Sequence, residues 1–137
     1  MESVPELLLD TSVLVSRGFE SLLGGRLAVN DVVVVEYLTV LLADRNEAAR
    51  NQDQDRARGR EEQLRRFPGL LRENGIALVG AYAIEQIERA TELTLQRQVD
   101  PADALLAVWA GEAGLQVATR DNDFDRLVDI CTVLKVP

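Results

Sequence analysis

The sequence predicts one α/β domain over residues 1–137, with a mostly parallel central sheet flanked by helices on both faces. Short aliphatic runs typical of buried strands alternate with longer stretches whose apolar residues recur at helical spacing. The length of 137 residues suits a single domain, and the hydrophobic share of 47% supports a substantial core. Aromatic residues make up only 4% of the chain, so aliphatic side chains must fill that core.

The first strand is predicted over residues 6–9, where three leucines precede the polar triplet Asp10-Thr11-Ser12. Each residue of this triplet favours a helix N-cap, so a helix is expected to begin here. A pair of glycines at 24–25 then separates this helix from a second strand over 27–29.

A long helix is predicted over residues 31–44, with Asn30 as its cap and Asp31 in its first turn. Four valines at 32–35 would also suit a strand. The helix is preferred because the apolar stripe continues at helical spacing through Leu38, Leu41 and Leu42.

Residues 44–63 are almost wholly polar, and the arginine-rich stretch 45–66 falls largely within them. We interpret this segment as a solvated helix face laced with ion pairs. The alternative is an arm that guides RNA or a protein partner. Apolar residues return at helical spacing from Leu64, and Asn74-Gly75 is a signal for the helix end.

The second half of the chain continues the alternation of strands and helices. A strand over 76–79 and a helix from about 84 precede a helix that Asp100 opens with Pro101 at its first position. A strand over 115–119, a short helix after Asn122 and a last strand over 130–136 complete the predicted sheet. The one cysteine, Cys131, lies in that last apolar run and is expected to be a buried thiol.

The composition excludes several kinds of site. The chain has no histidine and one cysteine, which rules out His-based catalysis, Ser-His-Asp triads and zinc sites built from these residues. Any metal ion must therefore be a hard cation held by oxygens. The net charge of −8 argues against a general nucleic-acid coat protein, but not against an enzyme that meets phosphate through a metal ion.

The start of the chain lacks the basic region of a signal peptide and carries Glu2 and Glu6 instead. No apolar stretch reaches the roughly 20 residues that span a bilayer. A cytoplasmic protein with no membrane partner is expected.

Four acidic residues are predicted to meet at one edge of the sheet. Asp10 follows the first strand, Asp121 follows the fourth, and the other two lie in helices, Asp103 in a first turn and Glu36 after a strand. Ligands of open α/β sheets bind beyond the carboxyl ends of the strands. Two unit charges 4 Å apart repel by about 4 kcal/mol at an effective dielectric of 20, so such a cluster must hold extra protons or bind a cation. Mg²⁺ or Mn²⁺ would satisfy it and would assist phosphodiester hydrolysis.

Each of these acids also has a purely structural interpretation. Asp10 could cap the helix at residue 11, and Asp103 could serve the helix dipole and first-turn amides. Asp121 or Asp123 could cap the short helix after Asn122, and Glu36 could lie on an exposed face. If the acids were purely structural, all four of these interpretations would have to hold together at one edge of the sheet.

Four motifs, in order along nearly the whole chain, resemble those of PIN-domain proteins, specifically VapC-type toxins. The first is Asp10-Thr11-Ser12-Val13-Leu14 after a strand, and the second is Glu36 early in a long helix. The third acid opens a helix as Asp103-Ala104-Leu105. The last motif follows the fourth strand as Thr119-Arg120-Asp121-Asn122-Asp123-Phe124.

This resemblance implies a PIN-like domain that uses Mg²⁺ or Mn²⁺ to cleave single-stranded RNA or an exposed loop. It implies a homodimer, and as a toxin the protein would pair with a small antitoxin that places an amphipathic helix on an apolar groove and an Arg near the acids. It implies as metal ligands Asp10, Glu36, Asp103 and Asp121, with Asp123 as a fifth acid. Hydroxyls that orient these carboxylates would come from Thr11, Ser12 and Thr119.

Other functions remain open. A catalytically inert PIN domain could act as an RNA- or protein-binding module, although all four acid positions are filled. A haloacid-dehalogenase-like phosphatase would need a second Asp at position 12, where Ser12 stands. A response-regulator receiver would need an Asp after the third strand, which Val79-Gly80-Ala81 lacks.

Overall fold

The computed structural model describes residues 5–137, so Glu2 lies outside the described residues. It contains five strands, which are β1 (Leu7–Leu9), β2 (Leu27–Asn30), β3 (Ala77–Val79), β4 (Gln116–Thr119) and β5 (Val133–Lys135). The helices are α1 (Thr11–Val15), α2 (Asp31–Arg50), α3 (Gln54–Glu73), α4 (Ile84–Arg97) and α5 (Pro101–Ala113). Two 3₁₀ helices cover Gly18–Leu22 and Asp123–Leu127.

The strands form one sheet in the order β3-β2-β1-β4-β5, and every pairing among the described strands is parallel. The chain moves from β1 to β3 in one direction, then crosses back to β4 and continues to β5. Crossovers between parallel strands are right-handed, so connections that run in opposite directions lie on opposite faces. Helices α1–α3 therefore cover one face and α4–α5 the other, which confirms the predicted α/β fold.

The core lies on both faces of the three inner strands, β2, β1 and β4. Aliphatic side chains dominate it, as the composition predicts, and the largest fully buried side chains are Phe124 together with leucines that include Leu8, Leu9, Leu14, Leu41 and Leu106. Full burial of one such side chain contributes about 1.5–3 kcal/mol. Because β1 and β4 are buried on both faces, their positions are fixed by packing from either side.

The polar segment after residue 44 is helical, as preferred, but the predicted helix end at residue 44 is wrong. Helix α2 continues to Arg50 and turns back through residues 51–53 into α3. Ion pairs between the two helices hold this hairpin, with Arg45 donating to Glu61 at 2.7 Å and Arg60 donating to Asp44 at 2.6 Å. The segment is packed on α2 by these pairs, so it is not a free arm.

The last strand is shorter than the predicted 130–136. The backbone amides of Ile130 and Cys131 both donate to the carbonyl of Leu127, at 2.9 and 3.1 Å, which closes a turn after the second 3₁₀ helix. These bonds keep residues 130–131 out of the sheet until Val133. The thiol of Cys131 is buried all the same, as predicted.

None of the helices in residues 5–137 combines the length and the apolar character needed to cross a bilayer.

Candidate functional site

The carboxyl ends of β1 and β4 meet at the point where the strand order reverses. The chain leaves β1 toward β2 and leaves β4 toward β5, so a crevice opens between the two strand ends. Asp10 follows β1 directly, and its backbone amide donates to the carbonyl of Ala118 in β4 at 2.9 Å. Asp121 lies two residues beyond the end of β4. The fold thus brings the first and last predicted acids to one crevice.

Asp10 is buried, with only 3% of its surface exposed. Its Oδ2 accepts hydrogen bonds from the hydroxyls of Ser12 and Thr119, each at 2.9 Å. Asp10 occupies the N-cap position of α1, yet its side chain makes no capping hydrogen bond, so the capping interpretation is wrong. Both hydroxyls bind the same oxygen of Asp10, which fixes the orientation of the carboxylate.

The two hydroxyls also connect Asp10 to the backbone of the loop after β4. The amide of Arg120 donates to Ser12 Oγ at 3.0 Å, and the amide of Asp121 donates to Thr119 Oγ1 at 3.1 Å. Thr119 is fully buried, so its position is set by the sheet. The loop that carries Asp121 is therefore fixed relative to Asp10 through side chains of β4 and α1.

Glu36 enters the crevice from the second turn of α2. Thr11 at the start of α1 donates its hydroxyl to Glu36 Oε1. Thr11 is buried, with 8% of its surface exposed, and Glu36 is half-buried. The interpretation of Glu36 as an exposed surface residue is therefore wrong.

Asp103 lies in the first turn of α5, where Asp100 caps the helix by accepting from the amide of Ala102 at 2.8 Å. Burial, followed by the negative charges of nearby acids, raises the pKa of Asp103 to about 8. These acids are, in order of effect, Asp10, Asp100, Glu36 and Asp123. Acids from three other parts of the chain therefore lie close enough to raise the pKa of the Asp103 carboxyl.

Asp121 and Asp123 form the outer side of the crevice, and both are exposed. Partial burial and then the charges of Asp10 and Asp123 raise the pKa of Asp121, while Lys135 and Arg120 oppose this effect. Neither acid caps the 3₁₀ helix, whose N-cap residue is Asn122 and lacks a side-chain capping bond. The capping interpretation fails here as well.

The acids are close enough to shift one another's pKa, but their side chains do not converge on one point. Among residues 5–137, no three acidic side chains stand close enough together to hold a metal ion as they are. Burial first, and then the charges of neighbouring acids, raise the pKa values of Asp103 and Asp121. A donor set made only of oxygens fits Mg²⁺ or Mn²⁺, which take carboxylates and water.

Two residues at this edge of the sheet, Lys135 and Asn30, were not among the site residues predicted from the sequence. Lys135, at the end of β5, donates to the Asp121 carbonyl at 2.6 Å and to Asn122 Oδ1 at 2.7 Å. Asn30, at the end of β2, is fully buried, caps α2 and accepts a hydrogen bond from the hydroxyl of Tyr82. Lys135 is the single lysine of the chain, which makes it conspicuous in the sequence. Nothing in the sequence, however, pairs this lysine with Asp121.

A groove of about 380 Å³ opens beside the acids, between the start of α5 and the second 3₁₀ helix. Its lining is mostly polar and consists of Gln98, Val99, Asp100, Asp103, Asn122, Asp123 and Arg126. Two of the predicted acids thus face a groove that is open to solvent.

Comparison with known proteins supports this fold. Residues 7–130 match the family model described as PIN domain. The structure is similar to PAE2754 from Pyrobaculum aerophilum, at 18% identity and a TM-score of 0.67, covering 96% of this chain and 90% of that chain. No curated protein matches the chain.

Two similar structures are complexes with DNA. VapBC2 from Rickettsia felis, bound to a DNA fragment from its promoter, gives 14% identity and a TM-score of 0.66, covering 96% of this chain and 98% of that chain. DNA-bound VapBC from Salmonella typhimurium gives 16% identity and a TM-score of 0.64, with the same coverage of 96% and 98%. Identities this low show a shared fold. Because the family model spans most of the chain, this protein belongs to the PIN domain family.

Proposed function

We propose that the protein is an endoribonuclease that depends on Mg²⁺ or Mn²⁺. The observation that carries this proposal is the arrangement at the crevice between β1 and β4. Buried Asp10 has one oxygen held by two hydroxyls, and the charge of Asp10 contributes to the raised pKa of Asp103 on the facing helix. Membership of the PIN domain family, whose members are nucleases, supports hydrolysis of a phosphodiester bond.

In this proposal, four carboxylates hold the ion and a fifth lies at the rim. The four are Asp10, Glu36, Asp103 and Asp121, and the fifth is Asp123. When bound, Mg²⁺ or Mn²⁺ makes a water molecule more acidic and stabilises the charge that develops on the phosphodiester. Thr11, Ser12 and Thr119 orient the carboxylates of Glu36 and Asp10, which limits the reorganisation needed to bind the cation.

The polar groove beside Asp103 is where we propose that the RNA strand lies. It runs past Asp103 and Asp123, and Arg126 on its wall can offset the charge of a phosphate. Arg120, next to Asp121, supplies a second positive charge at the crevice. These arginines meet phosphates without reading bases, so the sequence preference must come from other contacts.

We further propose that the protein is the toxin of a type II toxin–antitoxin pair and forms a homodimer. The structures similar to it include two VapBC complexes. A groove of about 720 Å³ between the first 3₁₀ helix and α3 presents Leu23 and Leu70 among charged side chains, which suits an amphipathic helix of an antitoxin. Exposed apolar side chains on α4, which are Ile84, Ile87 and Leu95, support self-association.

Cleavage of a mixed RNA pool by the purified protein tests the enzymatic proposal. Reactions contain Mg²⁺, Mn²⁺ or EDTA, and Asp103→Asn and Glu88→Gln are assayed beside the wild type. We expect cleavage only with a divalent ion, loss of cleavage in Asp103→Asn, and wild-type cleavage in Glu88→Gln, which changes an exposed acid on α4. Cleavage that persists in EDTA or in Asp103→Asn would contradict the assigned site. An inert wild type that still retains RNA or a partner would favour a binding module.

A further inference from the structure

The loop after β4 carries acids at alternate positions, Asp121, Asp123 and Asp125, and all three are exposed. Like charges this close repel and favour a more open loop. Two backbone contacts restrain it, since the amide of Asp121 donates to Thr119 Oγ1 at 3.1 Å and that of Asp125 donates to the Asn122 carbonyl at 3.0 Å. The peptide that follows Asp121 lies between these two contacts, and its carbonyl is bound by a side chain from another strand.

Lys135 supplies that side chain from the neighbouring strand. Its ammonium donates to the Asp121 carbonyl at 2.6 Å, to Asn122 Oδ1 at 2.7 Å and to Asp125 Oδ1 at 3.3 Å. An ammonium has three donors, and here each one has a separate acceptor in the loop. The single positive charge thus ties a carbonyl, an amide and a carboxylate of the loop together.

The sheet fixes the base of this lysine. Lys135 is paired in register with Thr119, the residue whose hydroxyl binds Asp10. The amide of Val136 also donates to the Thr119 carbonyl at 2.8 Å. Both ends of the loop are therefore positioned relative to Thr119, one by direct contact and the other through Lys135.

We propose that Lys135 is a positioning residue that holds the loop 121–125 so that Asp121 faces the cation, an inference that rests on the proposed metal-dependent function. The residue acts through Asp121 and does not itself touch the ion. Removing a group that orients a metal ligand typically weakens metal binding 10- to 100-fold.

The direction of the effect separates positioning from simple electrostatics. If Lys135 acted only through its charge, its removal would make the crevice more negative and tighten cation binding. If it acted only on the stability of the fold, metal affinity of the folded protein would not change. Only loss of positioning weakens the binding of the cation to a folded protein.

Binding of Mn²⁺ to the metal-free protein, measured by calorimetry and by the loss of the free-Mn²⁺ signal in electron paramagnetic resonance, provides the test. We expect Lys135→Met to weaken Mn²⁺ binding about tenfold. Lys135→Arg, which keeps the charge and several donors, should restore most of the affinity. Asn122→Ala, which removes one of the three acceptors and leaves the charge in place, should weaken binding by a smaller factor.

Arg97→Met is the matched control. Arg97 also uses three hydrogen bonds to hold a nearby stretch, to the Arg126 carbonyl at 2.8 Å and to the two oxygens of Asp129 at 2.6 and 2.9 Å. Its loss should lower the melting temperature and leave Mn²⁺ affinity unchanged. Wild-type or tighter Mn²⁺ binding by Lys135→Met would overturn the role of Lys135. Mn²⁺ binding by the wild type no stronger than by Asp10→Asn would instead overturn the metal site on which it rests.

Discussion

Among the acids of the crevice, Asp103 is the one whose pKa is raised most by burial and neighbouring charges together. Its carboxyl is half-buried, and burial raises its pKa to about 8, helped by the charges of Asp10, Asp100 and Glu36. A free aspartate has a pKa of about 3.9. Without a cation, the folded protein must therefore keep a proton on Asp103 or accept a costly negative charge at neutral pH.

This shift predicts how pH changes the stability of the metal-free protein. Between about pH 4 and about pH 8 the folded state binds a proton at Asp103 that the unfolded state has released. The free energy of unfolding therefore falls as pH rises through this window. The slope is at most about 1.4 kcal/mol per pH unit. Because Asp103 is only half-buried, solvent screening reduces the total change in stability across the window.

Comparison with Asp103→Asn isolates the contribution of this one group. We expect the free energy of unfolding, measured by urea denaturation in EDTA, to be about equal for the two proteins at about pH 4, the start of this window, and higher for the variant at pH 8. Equal stability at both pH values would show that Asp103 does not carry the proton. A variant that unfolds readily at both would identify Asp103 as a structural residue.

At the scale of elements, the position of α5 depends on one glycine. A Cβ atom at Gly111 would lie 2.2 Å from the carbonyl oxygen of Ile130, well inside van der Waals contact with backbone. The helix thus packs directly on the turn between the second 3₁₀ helix and β5. Because α5 carries Asp103 at its other end, this close approach helps to set where that acid enters the crevice.

We predict that Gly111→Ala destabilises the protein by about 1–3 kcal/mol, because α5 or the turn must move to admit the methyl group. Gly59→Ala is the matched control, since Gly59 is also helical and a Cβ there would meet nothing within 4 Å. Alanine should stabilise α3 there by about 0.5–1 kcal/mol. Urea denaturation measures both changes, and a loss of similar size in the two variants would contradict the close approach of α5.

At the scale of the whole molecule, the sheet order gathers acids that are far apart in the chain. Residues 10 and 121 meet only because β1 and β4 are neighbours, and α2 and α5 bring Glu36 and Asp103 to the same edge. The site therefore exists only in the folded chain. A cation that binds it must bind the folded state and stabilise the entire domain.

Divalent ions should accordingly raise the melting temperature. At a concentration of 100 times the dissociation constant, one bound ion adds about 2.7 kcal/mol. We expect Mn²⁺ to raise the melting temperature of the wild type and of Glu88→Gln by several degrees over EDTA, and that of Asp103→Asn much less. A shift of equal size in all three proteins would point to non-specific binding at the acidic surface.

The sequence determined most of the strands, the parallel sheet and the motifs that mark the acids. Local rules suffice for these features, because strands and helices have different apolar periods and caps follow from single residues. The same rules misjudged the end of α2 and the start of β5. The end of α2 depends on contacts with another helix, such as Arg45 with Glu61. The start of β5 depends on a backbone turn in which the amide of Cys131 donates to the carbonyl of Leu127, and the apolar pattern does not reveal this turn.

What only the tertiary structure decided is how the residues of the site act on one another. The sequence indicated that Asp10, Thr119 and Asp121 belong together, but Asp10 as a cap and Asp10 as a hydroxyl-bound carboxylate are equally compatible with its motif. In the structure Asp10 is the hydroxyl-bound carboxylate, because the sheet order places Thr119 beside it. The sheet order also placed Lys135 on the Asp121 loop, a contact that depends on strand register and that no local pattern encodes.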